Sequence, residues 1–191
     1  WKESMHETIK LSLKDLSDAA MDELLQQYGV APFRAAQLHH WLYQKWAADF
    51  SEMKNLPAAL LEKLREKFLV FTLQPGEPLT SEDGTVKWLS QLPDGNTLET
   101  VLIRTPERAT VCISTQVGCQ VRCVFCASGR DGLVRSLTMA EIVDQVVFAC
   151  RDLGERVNNI VVMGMGEPML NLEHLIPALE CLSDPERCGF G

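Results

Sequence analysis

Three cysteines within eight residues, Cys119, Cys123 and Cys126, constrain this chain more than any other feature. They stand as Cys-x3-Cys-x2-Cys in Gly118-Cys119-Gln120-Val121-Arg122-Cys123-Val124-Phe125-Cys126, after an apolar run that reads as a strand. Thiolates are soft donors and suit zinc or iron–sulfur clusters. A structural zinc site wants four closed ligands, usually as paired Cys-x2-Cys units. The compact set here stops at three. A [4Fe–4S] cluster held by three cysteines leaves one iron free to bind a small molecule. Zinc, with Cys112 or Cys188 as fourth ligand, is the alternative. Gly118 and Gly129 bracket the loop and let the backbone approach a cluster closely.

The seven cysteines are an odd number and cannot all pair internally. Their crowding, and an N-terminus (Trp1-Lys2-Glu3-Ser4) without the pattern of a secretory leader, point to a metal site in a reducing cytoplasm. Without an initiator Met, the true start is expected upstream. No run approaches the ~18 apolar residues of a membrane span. Hydrophobic content of 46% and charged content of 23% fit a globular protein. The net charge of −8 argues against simple electrostatic wrapping of nucleic acid. The charge is uneven: residues 1–71 carry nine Lys/Arg against ten Asp/Glu, and residues 72–191 nine against sixteen. Arg34, Lys45, Lys54, Lys63, Arg65 and Lys67, beside His39, His40 and Trp41, form either a local RNA-facing patch or a solvated helix face.

Residues 12–29 read as a helix, capped by Ser12 or Ser17 and stopped by Gly29. Pro32 opens a second helix with Ala35, Leu38, Leu42 and Trp46 as its apolar stripe. A third runs from Pro57 to Phe68. Gln74-Pro75-Gly76-Glu77-Pro78 breaks this helical unit from the strand-rich segment after it. Strands are expected at 86–92, 98–103 and 109–114, with Pro93-Asp94-Gly95-Asn96 as a turn. Thr138, with Glu141 at the third helical position, opens a helix that Gly154 ends. Residues 159–163 read as a buried parallel strand, and 170–182 as a helix that Pro177 shortens or kinks. The order strand, cysteine loop, helix, strand, glycine turn, helix begins a βα alternation. The expected fold class is α/β, divided into a helical head (1–73), a linker and β-hairpin segment (74–108) and the start of a parallel sheet or barrel (109–191).

Cys-x3-Cys-x-aromatic-Cys resembles the radical S-adenosylmethionine (SAM) signature. The wider stretch 109–119, then Phe125-Cys126-Ala127-Ser128-Gly129, is similar to the RlmN/Cfr group of RNA adenine methyltransferases. So are Gly132, Arg135, Leu137, Glu141, Ile142, Gln145, Asn159 through Pro168, and Phe33-Arg34-Ala35-Ala36-Gln37-Leu38 in the head. Ser128 stands where that family usually has Thr.

The resemblance implies a partial (βα)6 barrel, of which residues 109–191 would be the first half. It implies that Cys119, Cys123 and Cys126 hold a [4Fe–4S] cluster whose open iron is chelated by SAM. Phe125 would pack on the SAM adenine, and Gly166 and Glu167 would engage its amino end. Glu99, otherwise read as a solvent-facing strand carboxylate, becomes a proton acceptor. Cys112, otherwise a buried strand thiol, would help resolve a covalent RNA adduct and form a disulfide with a methyl-carrying cysteine. Cys150 reads as helix core, and neither Cys181 nor Cys188 matches a catalytic position.

The implied reaction methylates adenosine C2 in 23S ribosomal RNA, and also in tRNA. The carbon is a poor nucleophile, so family enzymes use two SAM molecules: one methylates a cysteine, and the other yields a radical that activates that methyl group. A flavodoxin-like electron donor, a monomeric state and no membrane partner are expected. The methyl-carrier cysteine is not found here, so the chain is expected to be an inactive fragment. A non-catalytic zinc- or cluster-bearing RNA-binding module, and a C8-specific enzyme, are the alternatives.

Overall fold

A computed structural model of the chain describes residues 10–190; Trp1-Lys2-Glu3-Ser4 and Gly191 lie outside them. Strand β1 (Leu11–Ser12) and a 3-10 turn (Leu13–Asp15) precede helix α1 (Asp18–Gln27). The single helix expected over 12–29 is therefore split. Its two candidate caps are both used: Ser12 accepts from the Lys14 amide and starts the short turn, while Ser17 accepts from Ala20 and starts α1. Helix α2 (Phe33–His39) follows Pro32 and continues as a π turn over His40–Gln44. Leu38 and Leu42 of the expected stripe are buried, but Trp46 lies beyond the turn at φ 53. Helix α3 (Ala58–Lys67) starts after Pro57, and β2 (Phe68–Leu69) pairs parallel with β1.

Strands β3 (Gln74–Pro75) and β4 (Leu79–Thr80) both pair with β5 (Val86–Gln91), so the expected break supplies the margin of the sheet. β5, β6 (Thr97–Arg104) and β7 (Ala109–Cys112) form an antiparallel meander. A hairpin of β8 (Gln116–Gly118) and β9 (Leu133–Ser136) comes next, then α4 (Met139–Leu153). β10 (Asn159–Val161) lies parallel to β7 with Val161 opposite Cys112. The sheet order is β10-β7-β6-β5-β3, and β7–α4–β10 is its one βαβ unit among the described residues. A 3-10 turn (Pro168–Leu170) leads into α5 (Leu172–Ser183), which runs through Pro177 without ending.

The alternation of β5–β7 decides which face is covered. Val86, Trp88, Leu98, Leu102, Val111 and Ile113 are buried together with Ile142, Val146 and Ala149 of α4. Trp88 meets Phe148 edge-on at 4.9 Å between ring centroids. Each large side chain buried this way contributes about 1.5–3 kcal/mol. α4 is fixed at both ends, by the reciprocal Thr138–Glu141 capping box and by Gly154 in the left-handed conformation.

The head is fastened to α4 by polar groups. Lys14 Nζ lies 2.7 Å from Asp144 Oδ1, with both side chains fully buried. Thr72 donates its amide and hydroxyl to Asp144 Oδ2, each at 2.8 Å, and Lys14 donates to the Val70 carbonyl. One continuous core runs from Leu13 to Cys188.

Candidate cofactor site

The β8–β9 hairpin closes the cysteine loop at its base. The Cys119 amide donates to the Gly132 carbonyl at 3.0 Å. Gly118 has φ +74, and a Cβ there would stand 2.0 Å from the Gly132 oxygen, so only glycine fits. Within the loop, the Cys126 amide donates to the Cys123 carbonyl at 3.0 Å. Arg122, Cys123, Phe125, Cys126, Gly129 and Arg130 border a concavity of about 290 Å³.

Cys119 is buried, whereas Cys123 and Cys126 are exposed, as is Phe125. Hydrogen bonds from the Ser128 amide and hydroxyl, then the Gly129 amide, pull the Cys126 thiol below its ordinary range. The thiolate is the ligating form, so that shift favours metal capture. Among the described residues, no group of three or more His, Cys, Asp or Glu is assembled closely enough to hold a metal. The donor set therefore suits a cluster in its chemistry, while the three thiols are not drawn together. Neither proposed fourth zinc ligand joins them: Cys112 sits on β7, and Cys188 is buried with its amide donating to the Cys181 carbonyl.

The glycine turn after β10 is stitched to the segment leading into this loop. Thr115 and Gln116 donate their amides to the Met165 carbonyl at 2.8 and 3.2 Å. Met165 donates to Ser114 Oγ, and the Glu167 amide donates to Gln116 Oε1, both at 2.9 Å. Gly166 takes φ +101, and a Cβ there would lie 2.6 Å from Gln116 Cβ. Glu167 Oε1 accepts from the Met169 amide and caps the following 3-10 turn. The turn is thus a strand-to-helix connection with Pro168 at its first position, and it also brings Gly166 and Glu167 beside the root of the cysteine loop.

Glu99 and Cys112 share the sheet face that α4 does not cover. Val101 pairs with Cys112, and Glu99 is two residues earlier on the same side of β6. Lys87 Nζ donates to Glu99 Oε1 at 3.0 Å. The Glu99 amide points to Met165 Sδ at 3.4 Å, and its carbonyl accepts from Ser114 Oγ at 2.6 Å. Burial pushes the Cys112 thiol up, against a hydrogen bond from the Met163 backbone. Cys112 is a free thiol, and no disulfide occurs among the described residues.

Two buried amides that sequence reasoning left without a role hold this region. Gln145 Oε1 accepts from the Ser114 amide at 2.7 Å and from Thr100 Oγ1 at 3.1 Å, and its Nε2 donates to the Ser114 carbonyl. Asn171 Nδ2 donates to the carbonyls of Thr115 and Leu137. The available signal was a polar residue set into an apolar helix face at Gln145. Arg135 on β9 makes a two-pronged bond to Glu141 at 2.7 and 2.8 Å and also binds Asp94, tying the loop's hairpin to α4.

The chain is similar to known proteins in sequence and in fold. The family model described as the ribosomal RNA large subunit methyltransferase N-terminal domain matches residues 11–70. A probable dual-specificity RNA methyltransferase RlmN of Geobacillus kaustophilus is 45% identical over 183 residues, covering 94% of this chain and 50% of the relative. The dual-specificity RNA methyltransferase RlmN of Pelobacter propionicus is 44% identical over 177 residues, covering 93% and 50%. A crystal structure of a radical SAM methyltransferase from Sphaerobacter thermophilus superposes with a TM-score of 0.88 at 42% identity, over 95% of this chain and 54% of that one. The chain thus spans about half the length of the curated relatives it matches. With the N-terminal domain model matched over 11–70 and relatives above 40% identical across more than nine-tenths of its length, the chain is RlmN-like, resembling about half the length of these RNA methyltransferases.

Proposed function

We propose that this chain carries the cluster- and SAM-binding part of a cytoplasmic, monomeric enzyme that methylates adenosine C2 in 23S ribosomal RNA and in tRNA. The observation that carries the reading is the bonding of Gln116, at the root of the cysteine loop, to Met165 and Glu167 of the glycine turn. One short segment thereby joins the soft-donor loop to a carboxylate and an open backbone turn, the two halves of a site for a sulfonium amino acid on a cluster.

Cys119, Cys123 and Cys126 would hold the [4Fe–4S] cluster, supplied with electrons by a flavodoxin-like donor. When bound, the cluster and SAM supply the one-electron chemistry that activates a methyl group carried on a cysteine. Gly166 and Glu167 receive the amino end of SAM, and Phe125 closes over its adenine. Glu99, oriented by Lys87, accepts a proton, and Cys112 on the same sheet face resolves the RNA adduct. Each role keeps a side chain at a fixed place while the cofactor does the bond-breaking.

The head would meet RNA through shape and unpaired bases. Phe33 is exposed, with the Arg34 guanidinium 4.7 Å above its ring, a platform on which a base can stack. Nucleoside mass spectrometry of rRNA and tRNA from cells lacking and then regaining the full-length enzyme tests the reading. Return of 2-methyladenosine supports it; return of only 8-methyladenosine, or of neither, contradicts it. The 191-residue chain alone is expected to methylate no RNA.

A further inference from the structure

We propose that Cys181 and Cys188 form a peroxide-responsive disulfide at the joint between the helical head and α5. Cys181 lies in the last turn of α5, and the chain reverses over 184–188 to bring Cys188 back onto it. Both are free and buried, at 2% and 5% exposure. The Cys188 amide donates to the Cys181 carbonyl at 3.4 Å, which sets the two residues side by side. Hydrogen bonding from Cys188, then the Arg187 guanidinium and the Tyr43 hydroxyl, pull the Cys181 thiol below its ordinary range against its burial, and Arg187 lies 5.5 Å above the Tyr43 ring. Three donors on one sulfur favour its thiolate, the reactive form. Cys181 also lines a cleft of about 570 Å³ between the 11–17 segment and α5, bordered by His174, Glu180 and Arg187, which admits a small polar oxidant.

The chemistry balances with hydrogen peroxide as oxidant. Cys181 ionises and its thiolate attacks one peroxide oxygen: an S–O bond forms, the O–O bond breaks, and the departing hydroxide takes up the proton released on ionisation to become water. The Cys188 sulfur then attacks the sulfenic sulfur. The S–S bond forms, the S–O bond breaks, and the Cys188 proton leaves with hydroxide as a second water. Two thiols lose two electrons, and one peroxide becomes two waters.

Position gives the bond a consequence. Arg187 is ion-paired with Asp18 of α1 at 2.6 Å, and the Glu186 carbonyl accepts from Gln44 of the π turn at 2.9 Å. Oxidation cross-braces this turn and removes the thiolate that Tyr43 and Arg187 share. It thereby reports oxidant to the head through residues that none of the proposed catalytic roles uses.

The test is non-reducing peptide mapping of the full chain after graded hydrogen peroxide, with unfolding, alkylation and trypsin. Cleavage after Arg187 separates the two cysteines, so their disulfide appears as two joined peptides. The expected result is accumulation of that species, its reversal by dithiothreitol, and a dimedone-trappable sulfenic acid at Cys181 in Cys188→Ser. If Cys188→Ser does not fold, mapping of the unaltered chain decides. Cys181 and Cys188 both remaining alkylatable after the loop cysteines have oxidised, or pairing only with other cysteines, would overturn the proposal.

Discussion

Lys87 on β5 reaches diagonally to Glu99 on β6, Nζ to Oε1 at 3.0 Å, on the same sheet face as Cys112. Both side chains are 41% exposed, so the pair contributes under about 1 kcal/mol to stability. Its value would lie in orienting the carboxylate. Lys87→Gln in the full-length enzyme is therefore expected to leave urea unfolding nearly unchanged and to lower turnover at saturating RNA. Unchanged turnover would show that Glu99 needs no partner.

The buried Lys14–Asp144 pair behaves differently, because neither charge can reach water. Asp144→Ala strands the Lys14 ammonium and removes the acceptor for Thr72. A loss of about 3–5 kcal/mol in unfolding free energy is expected. Replacing both partners with apolar residues of similar size should cost much less. Equal losses in the single and double variants would mean that packing, not the stranded charge, sets the cost.

Asp94 gives the acid limb of stability an identifiable component. Burial alone would raise its carboxyl, but hydrogen bonds from Arg135 and Asn96 outweigh it and hold the pKa at about 2 against an ordinary 3.8. A depressed folded-state value stabilises the fold above pH 3.8 and loses that contribution as pH falls toward about 2. Asp94→Asn should thus be less stable than the parent near neutrality, with the gap closing through that window. A gap independent of pH in denaturant titrations would refute the assignment.

Gly166 and Gly84 separate backbone strain from crowding. Both have positive φ, but a Cβ at Gly84 meets nothing within 4 Å, whereas one at Gly166 meets Gln116 Cβ and N at 2.6 and 2.7 Å. Gly84→Ala carries only the conformational cost of about 1 kcal/mol. Gly166→Ala should cost more in thermal unfolding and weaken SAM binding by the reconstituted protein. Equal destabilisation of the two would remove the close approach of the glycine turn to Gln116 from the account.

Features carried by local chemistry were legible in the sequence. Thr138, Glu141 and Gly154 bound α4 as their capping preferences require, and the run expected as a buried parallel strand over 159–163 does pair parallel with β7, but only over Asn159–Val161 and as a partly exposed end strand. Contacts between distant segments were not. β8 and β9 are three and four residues long, too short for a periodic signal, and they exist because Gly118 and Gly132 let the loop close. β3 and β4 sit among prolines that read as a break, yet pair on the margin of β5. Gln145 reads as one polar residue in an apolar stripe until Ser114 is folded against it. Cys188, weighed as a zinc ligand, instead meets Cys181, a contact made only when the chain turns back after α5.

The most direct measurement is anaerobic reconstitution of the chain with iron and sulfide, followed by electron paramagnetic resonance of the reduced protein with and without SAM. The account predicts about four iron ions per chain, a signal that SAM alters, and loss of both in Cys119→Ala, Cys123→Ala and Cys126→Ala. Stoichiometric zinc without iron uptake, or iron and the SAM-dependent signal surviving any of the three substitutions, would contradict it.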